Sequence, residues 1–218
     1  MMLHIFCVRH GQSFANVNEV IVSHENEGPK SEYGLTSVGR DQAMKAGEAL
    51  VSFQPIHKGG IIILASPFSR ALQTAEAVYS YMLSECLSPQ FHVEPLLRER
   101  WFGEFDATHN SNYKTVWLAD AAEGSHHRMY GVESIRDVVV RVLDVIDLHG
   151  RNVKGSASLV LVSHGDTLQI IQAALAGLPP HQHRSLQPLE NGEVRYIFKG
   201  TLEDARRTAT AHLGEARA

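Results

Sequence analysis

Two short apolar runs in this chain end in the same unusual way. Residues 3–8 lead into Arg9-His10-Gly11-Gln12-Ser13, and Leu159-Val160-Leu161-Val162 leads into Ser163-His164-Gly165-Asp166. Runs of this length, bounded by turn-forming residues, read as buried strands. A third, Ile61 to Ala65, is followed by Ser66-Pro67-Phe68-Ser69-Arg70. A histidine is an odd way to end one core strand, and the repetition makes a purely packing role hard to sustain.

Between the strands the periodicity changes to that of helices. Ser13 reads as an N-cap, and residues 20–34 as an irregular surface loop. Thr36 caps a helix with Val38, Ala43, Ala46, Leu50 and Val51 inward. Pro67 suits a first helical turn, so Ser66 is expected to cap a helix running to about Leu87 with Arg70 on that turn. A short strand at 91–94 precedes a loop, 96–103, rich in large and charged side chains. Residues 110–122 fit a helix. Ser134 caps another helix, at 135–148, with Val138, Val142, Val145 and Ile146 inward. A helix from about Thr167 to Ala176, a loop at 181–191 and a strand at 193–199 follow. This alternation predicts a three-layer α/β/α fold with a mostly parallel central sheet and one antiparallel edge strand. One domain is expected over residues 1–200, with 201–218 as a loosely helical or disordered tail.

Composition narrows the function classes. With 44% hydrophobic residues in 218, the chain can bury a substantial core. A net charge of -4 argues against nucleic acid as a partner, because that binding uses a broad basic face. Any anion site must be local. Two cysteines, Cys7 and Cys86, are too few for a disulfide scaffold; they read as packed thiols in a reducing, cytoplasmic setting. No signal-peptide core or membrane-length apolar run is present, so no membrane partner is expected. Assembly as a homodimer is left open.

In parallel sheets, ligands bind beyond the carboxyl ends of the strands, and right-handed crossovers bring those ends to one rim. That rim collects Arg9, His10, Ser66, Arg70 and His164. Arginine forks match phosphate oxygens. A neutral imidazole can attack phosphorus when its other nitrogen is held as N–H. With arginines neutralising the charge, neither metal nor other cofactor is required. Glu99, between Arg98 and Arg100, is the first choice for protonating the leaving oxygen; burial would raise its pKa and the arginines would lower it. Asp166, which can equally be a helix N-cap, and Glu104 are the competing acids.

These residues closely resemble the histidine phosphatase superfamily, in its phosphoglycerate mutase-like branch. The resemblance is carried by Arg9-His10-Gly11-Gln12-Ser13 with Asn16, by Leu35-Thr36 with Gly39 and Gln42-Ala43, and by Ser66-Pro67 with Arg70-Ala71, Gln73-Thr74-Ala75. It continues through Glu99 with Phe102-Gly103, Glu133-Ser134 and Val162-Ser163-His164-Gly165, covering roughly residues 3–198. It implies that His10 is the nucleophile that becomes phosphohistidine and that Arg9, Arg70 and His164 complete a phosphate pocket. It further implies that Asn16 contacts the phosphate and that Glu99 is the acid. Asp166 loses ground, because Gly165 occupies the position where the acid phosphatase branch places its donor.

The expected activity is hydrolysis of a phosphate monoester carried by a small metabolite or a phosphoprotein. The alternatives are mutase-type phosphoryl transfer and non-catalytic binding of a phosphorylated ligand. Mutases of this kind resemble the chain around Glu99 but carry a long insertion with paired arginines, whereas here only a short segment separates Glu99 from Glu133. Specificity is expected from residues 110–131 and 179–191, which hold Lys114, His126, His127, Arg128, His181, His183 and Arg184. These could meet a second anionic group on the substrate or be a solvated polar surface.

Overall fold

β1 (Met2–Arg9) alternates its side chains between two cores. Leu3, Ile5 and Cys7 face one, and Phe6 and Val8 face the other. A strand buried on both faces must lie inside a sheet with helices on each side. The computed structural model, which describes residues 2–214 apart from Asn152 and Lys154, shows that arrangement. β2 (Gly60–Ala65), β3 (Gln90–Val93), β4 (Ser156–Ser163) and β5 (Val194–Gly200) complete a sheet of order β3-β2-β4-β1-β5. The first four strands run parallel, and β5 pairs antiparallel with β1. This is the expected three-layer, mostly parallel fold.

One face is covered by α2 (Ser37–Val51) and α3 (Ser69–Ser84) through Ala46, Leu50, Ala75, Val78 and Met82. The other is covered by α5 (Ile135–Gly150) and α6 (Gly165–Leu175), with Val138, Val142, Val145 and Ile146 inward as expected. α1 (Phe14–Val17) is short and α4 (Tyr113–Glu123) sits above the sheet end. Among the described residues, no helix is long and apolar enough to cross a membrane.

Several local expectations are corrected. Val38 is 49% exposed rather than inward, because the apolar face of α2 is made by Ala43, Ala46 and Leu50. α3 starts at Ser69, not Pro67, since Phe68 still has extended geometry. Cys7 is buried, but Cys86 is exposed just beyond α3. The loop over 20–34 is not wholly superficial: Ile21, Val22 and Ser23 are buried. The tail expected to be loosely helical or disordered is helical over α7 (Leu202–Thr210), but it is not loose: Ala205, Ala209 and Leu213 join the core beside α5 and α6. Its charged outer face hid a narrow apolar stripe of small residues. Residues 215–218 of that segment lie outside the described residues.

Strand register delivers the site. Arg9 pairs with Ser163 and Ala65 with Val162, so His10, His164 and Ser66 leave three adjacent strands at one level. The turn after β1 is then pressed onto the first turn of α2. A Cβ on Gly11 would lie 2.2 Å from the Gly39 carbonyl oxygen, and one on Gly39 would lie 2.0 Å from the Gln12 carbonyl oxygen. Only two glycines allow this approach. Gly39→Ala is therefore expected to cost at least about 1–3 kcal/mol through overpacking. Gly60→Ala, whose Cβ would meet nothing within 4 Å, is the comparison and is expected to cost much less. Urea denaturation of the two variants checks this.

Candidate active site

His10 is buried at the end of β1, and its two ring nitrogens have different partners. Nδ1 lies 2.8 Å from the Gly11 carbonyl oxygen, which can only accept, so Nδ1 carries the hydrogen. Nε2 accepts from Arg70 Nε–H at 3.1 Å. The ring is thus held neutral with a lone pair on Nε2. Burial first, then the charges of Arg70 and Arg9, push its pKa well below the ordinary imidazole value.

His164 stands beside it, with ring centroids 5.2 Å apart. Its Nε2 meets Ser66 Oγ at 2.8 Å, and that oxygen accepts the Phe68 N–H at 3.3 Å. The tautomer in which the Ser66 hydroxyl donates to Nε2 puts the hydrogen of His164 on Nδ1. That nitrogen is buried and without a protein partner, as are Nε of Arg9 and one terminal nitrogen of Arg70. Burial, Arg70 and His10 likewise lower the pKa of His164. Three buried donors without an acceptor among the described residues, set around one nucleophilic nitrogen, call for an oxyanion.

Each arginine is also anchored by one backbone carbonyl. Arg9 donates to the Leu189 carbonyl at 2.6 Å and Arg70 to the Val22 carbonyl at 2.9 Å. Asn16 closes a capping box with Ser13, its Oδ1 accepting from the Ser13 backbone N–H and hydroxyl, both at 3.0 Å. Asn191 Nδ2 also reaches that oxygen at 3.4 Å and the His10 carbonyl at 3.0 Å. The amide nitrogen of Asn16 is left for the cleft.

Arg9, His10, Asn16, Arg70 and Glu99 line a cleft of about 250 Å³, walled also by Tyr113, Trp117 and Arg184. Oε1 of Glu99 accepts from the backbone N–H groups of Arg100 at 2.9 Å and Thr167 at 3.2 Å. The Thr167 hydroxyl approaches it at 3.1 Å. Oε2 is therefore the oxygen left to hold a proton. Burial, then the charge of Asp166, raises the carboxyl's pKa despite the Arg100 N–H and Arg70, which answers the question the sequence left open. A raised carboxyl beside lowered imidazoles is the pattern of an acid paired with a nucleophile.

The competing acids are placed otherwise. Asp166 accepts from Arg100 at 3.2 Å and from Trp117 Nε1 at 2.8 Å. His183 Nε2 lies 3.3 Å away, near enough to share charge but without hydrogen-bond geometry. Despite burial, His183 and Arg100 hold Asp166 well below the usual carboxylate range, so it stays ionised. Glu104 is exposed and does not line the cleft.

A profile of the histidine phosphatase superfamily (branch 1) matches residues 5–207. The chain belongs to this superfamily. Among relatives within it, a "Probable phosphoglycerate mutase GpmB" of Photorhabdus laumondii is 27% identical over 190 residues, 85% of this chain and 80% of that protein. A "Glucosyl-3-phosphoglycerate phosphatase" of Mycolicibacterium vanbaalenii is 29% identical over 185 residues, 79% of this chain and 73% of that protein. The solved structure of a mycobacterial glucosyl-3-phosphoglycerate phosphatase shares the fold, with a TM-score of 0.66, 24% identity and 89% of both chains covered. Superfamily membership thus spans proteins named as mutases and as phosphatases.

Of the basic residues expected to wall this histidine phosphatase cleft, Arg184 alone does so among the described residues. His126 bonds the Leu213 carbonyl, His127 the buried Asp120, and His183 the Pro180 carbonyl. Arg128 pairs with Asp137 outside the cleft, and Lys114 and His181 are not among its walls. The expected wall at 110–131 does contribute, through Asn110, Tyr113 and Trp117 and not through its basic side chains, while sequence reasoning missed Ser66 as the partner of His164, Thr167 as the cradle of Glu99 and Gln169 as a wall. For the two aromatic rings, the Tyr-x-x-x-Trp spacing on a helix, which puts both on one face, was the available signal.

The lowered histidines link stability to pH. Below the unfolded imidazole value of about 6.5 the unfolded chain binds protons that folded His10 and His164 refuse, so stability falls as pH falls towards their folded values. Glu99 acts oppositely, above the ordinary carboxyl value. The urea midpoint is expected to drop between about pH 7 and 5, and to drop less in a His10→Gln, His164→Gln double variant.

Proposed function

We propose that this chain is a phosphatase that hydrolyses a small phosphate monoester through a phosphohistidine on His10. The observation that carries the reading is the fixed tautomer of His10, with Nδ1–H on the Gly11 carbonyl and the Nε2 lone pair aimed among the unpartnered donors of Arg9, Arg70 and His164.

As the ester enters, Arg70 Nε–H passes from His10 Nε2 to a phosphate oxygen, freeing the lone pair. Arg9, His164 and Asn16 hold the other oxygens as charge spreads over them. His10 Nε2 bonds to phosphorus, the ester P–O bond breaks, and the proton on Glu99 Oε2 goes to the leaving oxygen. The alcohol departs. The Glu99 carboxylate then takes a proton from water, whose oxygen attacks phosphorus, and the P–N bond breaks. His10 returns neutral and inorganic phosphate leaves.

Water rather than a second hydroxyl is favoured as the acceptor by the segment between Glu99 and Glu133. Its Arg100 is spent on the buried Asp120, and its Arg128 is paired away from the cleft. No arginine pair from that segment is offered to a bound alcohol. The small cleft favours a metabolite over a folded phosphoprotein.

His10→Ala is expected to abolish both turnover and acid-labile labelling by substrate phosphate; labelling that survives in this variant defeats the assignment. Glu99→Gln is expected to lower kcat/KM on alkyl phosphates by ~10²–10⁴-fold and on aryl phosphates with good leaving groups far less, while kcat falls on both because the same carboxylate activates water. The same comparison gives a pH signature. Wild-type kcat/KM on alkyl esters should fall as pH rises through the raised value of Glu99, while that on good leaving groups stays nearly flat.

A further inference from the structure

The cleft holds more positive charge than a phosphate monoester needs. Elsewhere around the site each arginine faces a carboxylate: Arg98 and Arg141 share Glu133, and Arg100 takes Asp120 and Asp166. Among the described residues, Arg9, Arg70 and Arg184 line the cleft and none has a carboxylate within ion-pair distance. Glu99 is held towards its neutral form, and Asp166, whose charge Arg184 feels without pairing to it, is ion-paired to Arg100. A monoester dianion matches Arg9 and Arg70. Arg184 is left over.

Arg184 is also held in place. Its guanidinium lies 3.7 Å from the ring centroid of Trp117, which stacks on Tyr113 at 5.5 Å and 8° between planes. Phe102 closes the row edge-on to Tyr113 at 4.6 Å. Trp117 is pinned at its Nε1 by Asp166, and one terminal nitrogen of Arg184 bonds Gln169 Oε1. A long cationic side chain ordinarily lies free in solvent. Stacked on an aromatic face and tied to an amide, it has already lost the rotamer freedom that ligand binding would otherwise remove.

We propose that Arg184 is the receptor for a second anionic group on the substrate, a carboxylate or a further phosphate, separate from the phosphoryl group at His10. This deepens the reading of the cleft as a phosphate-ester site and rests on it. Trp117 and Gln169 are positioning residues that act through Arg184. The cleft then selects for dianchored esters by electrostatic pairing at both ends, not by the shape of the intervening carbons.

The test uses three probes of one carbon skeleton: propyl phosphate, 3-(phosphonooxy)propanoate and propane-1,3-diyl bisphosphate. Wild type is expected to prefer the two doubly anionic esters in kcat/KM by about 10- to 100-fold, the worth of a charge-assisted hydrogen bond. In Arg184→Gln that preference should fall towards one, chiefly through KM, and Arg184→Lys should restore part of it. Which of the two anionic probes gains more identifies the group. No preference in wild type, or a preference that survives Arg184→Gln, overturns the proposal. So does an equal loss on all three probes, which marks a structural role. The same probes titrated calorimetrically against His10→Ala, with and without Arg184→Gln, separate this proposal from the reading beneath it. An Arg184-dependent binding preference without wild-type turnover keeps the subsite and discards the phosphatase. Turnover of all three esters without any preference does the reverse.

Discussion

The chemistry of this cleft depends on an imidazole that stays neutral because it is buried among cations. A guanidinium does not give up its proton at any ordinary pH, so Arg9 and Arg70 present permanent positive charge to His10 and never compete for its role. Their charge suppresses protonation of the ring, and the Gly11 carbonyl decides which nitrogen is left basic. The same cations that would bind the phosphate therefore prepare the atom that would attack it under the proposed mechanism. Removing either arginine would weaken anion binding and also raise the affinity of His10 for protons.

Around this core the carboxylates are sorted by environment. Glu99 has backbone N–H donors on one oxygen but no ion pair, and burial dominates. Asp166 is equally buried but has Arg100, Trp117 and His183 around it, and charge pairing dominates. Two acids at neighbouring positions thus sit in opposite protonation regimes. Glu133, with Arg98 and Arg141, forms a third environment; Arg141 also reaches Thr167 at 3.3 Å, which stiffens the hydroxyl against Glu99. The acid candidate is positioned by a network that never enters the cleft.

Much of this was legible in the chain. Apolar runs of strand length, each ended by a distinctive polar residue, carry the sheet and the rim, because strand ends are where a parallel sheet binds ligands. Arg9, His10, Asn16, Arg70, Glu99 and His164 all come together there. What stayed hidden depended on contacts distant in sequence. Ser66 looks like a helix cap because Ser-Pro is a good cap sequence; its bond to His164 spans 98 positions. The histidines at 126, 127 and 183 look available for a ligand until the buried acceptors that occupy them are known. α7 has so many charges that its three core-facing positions, two of them alanines, give little periodic signal.

The contact between Gly11 and Gly39 constrains the order in which this chain can change. A side chain on Gly11 would meet the Gly39 backbone and one on Gly39 the Gln12 backbone, so trimming a neighbouring side chain makes room at neither position. A single step at either position therefore carries a stability cost before any second step can proceed. Residues 178–191, which follow α6 and carry Arg184, contain no glycine and so no such close backbone approach, and the wall they form can be re-shaped one residue at a time. The His10 end of the cleft is thereby fixed by backbone contact, while its outer wall is left open to gradual change.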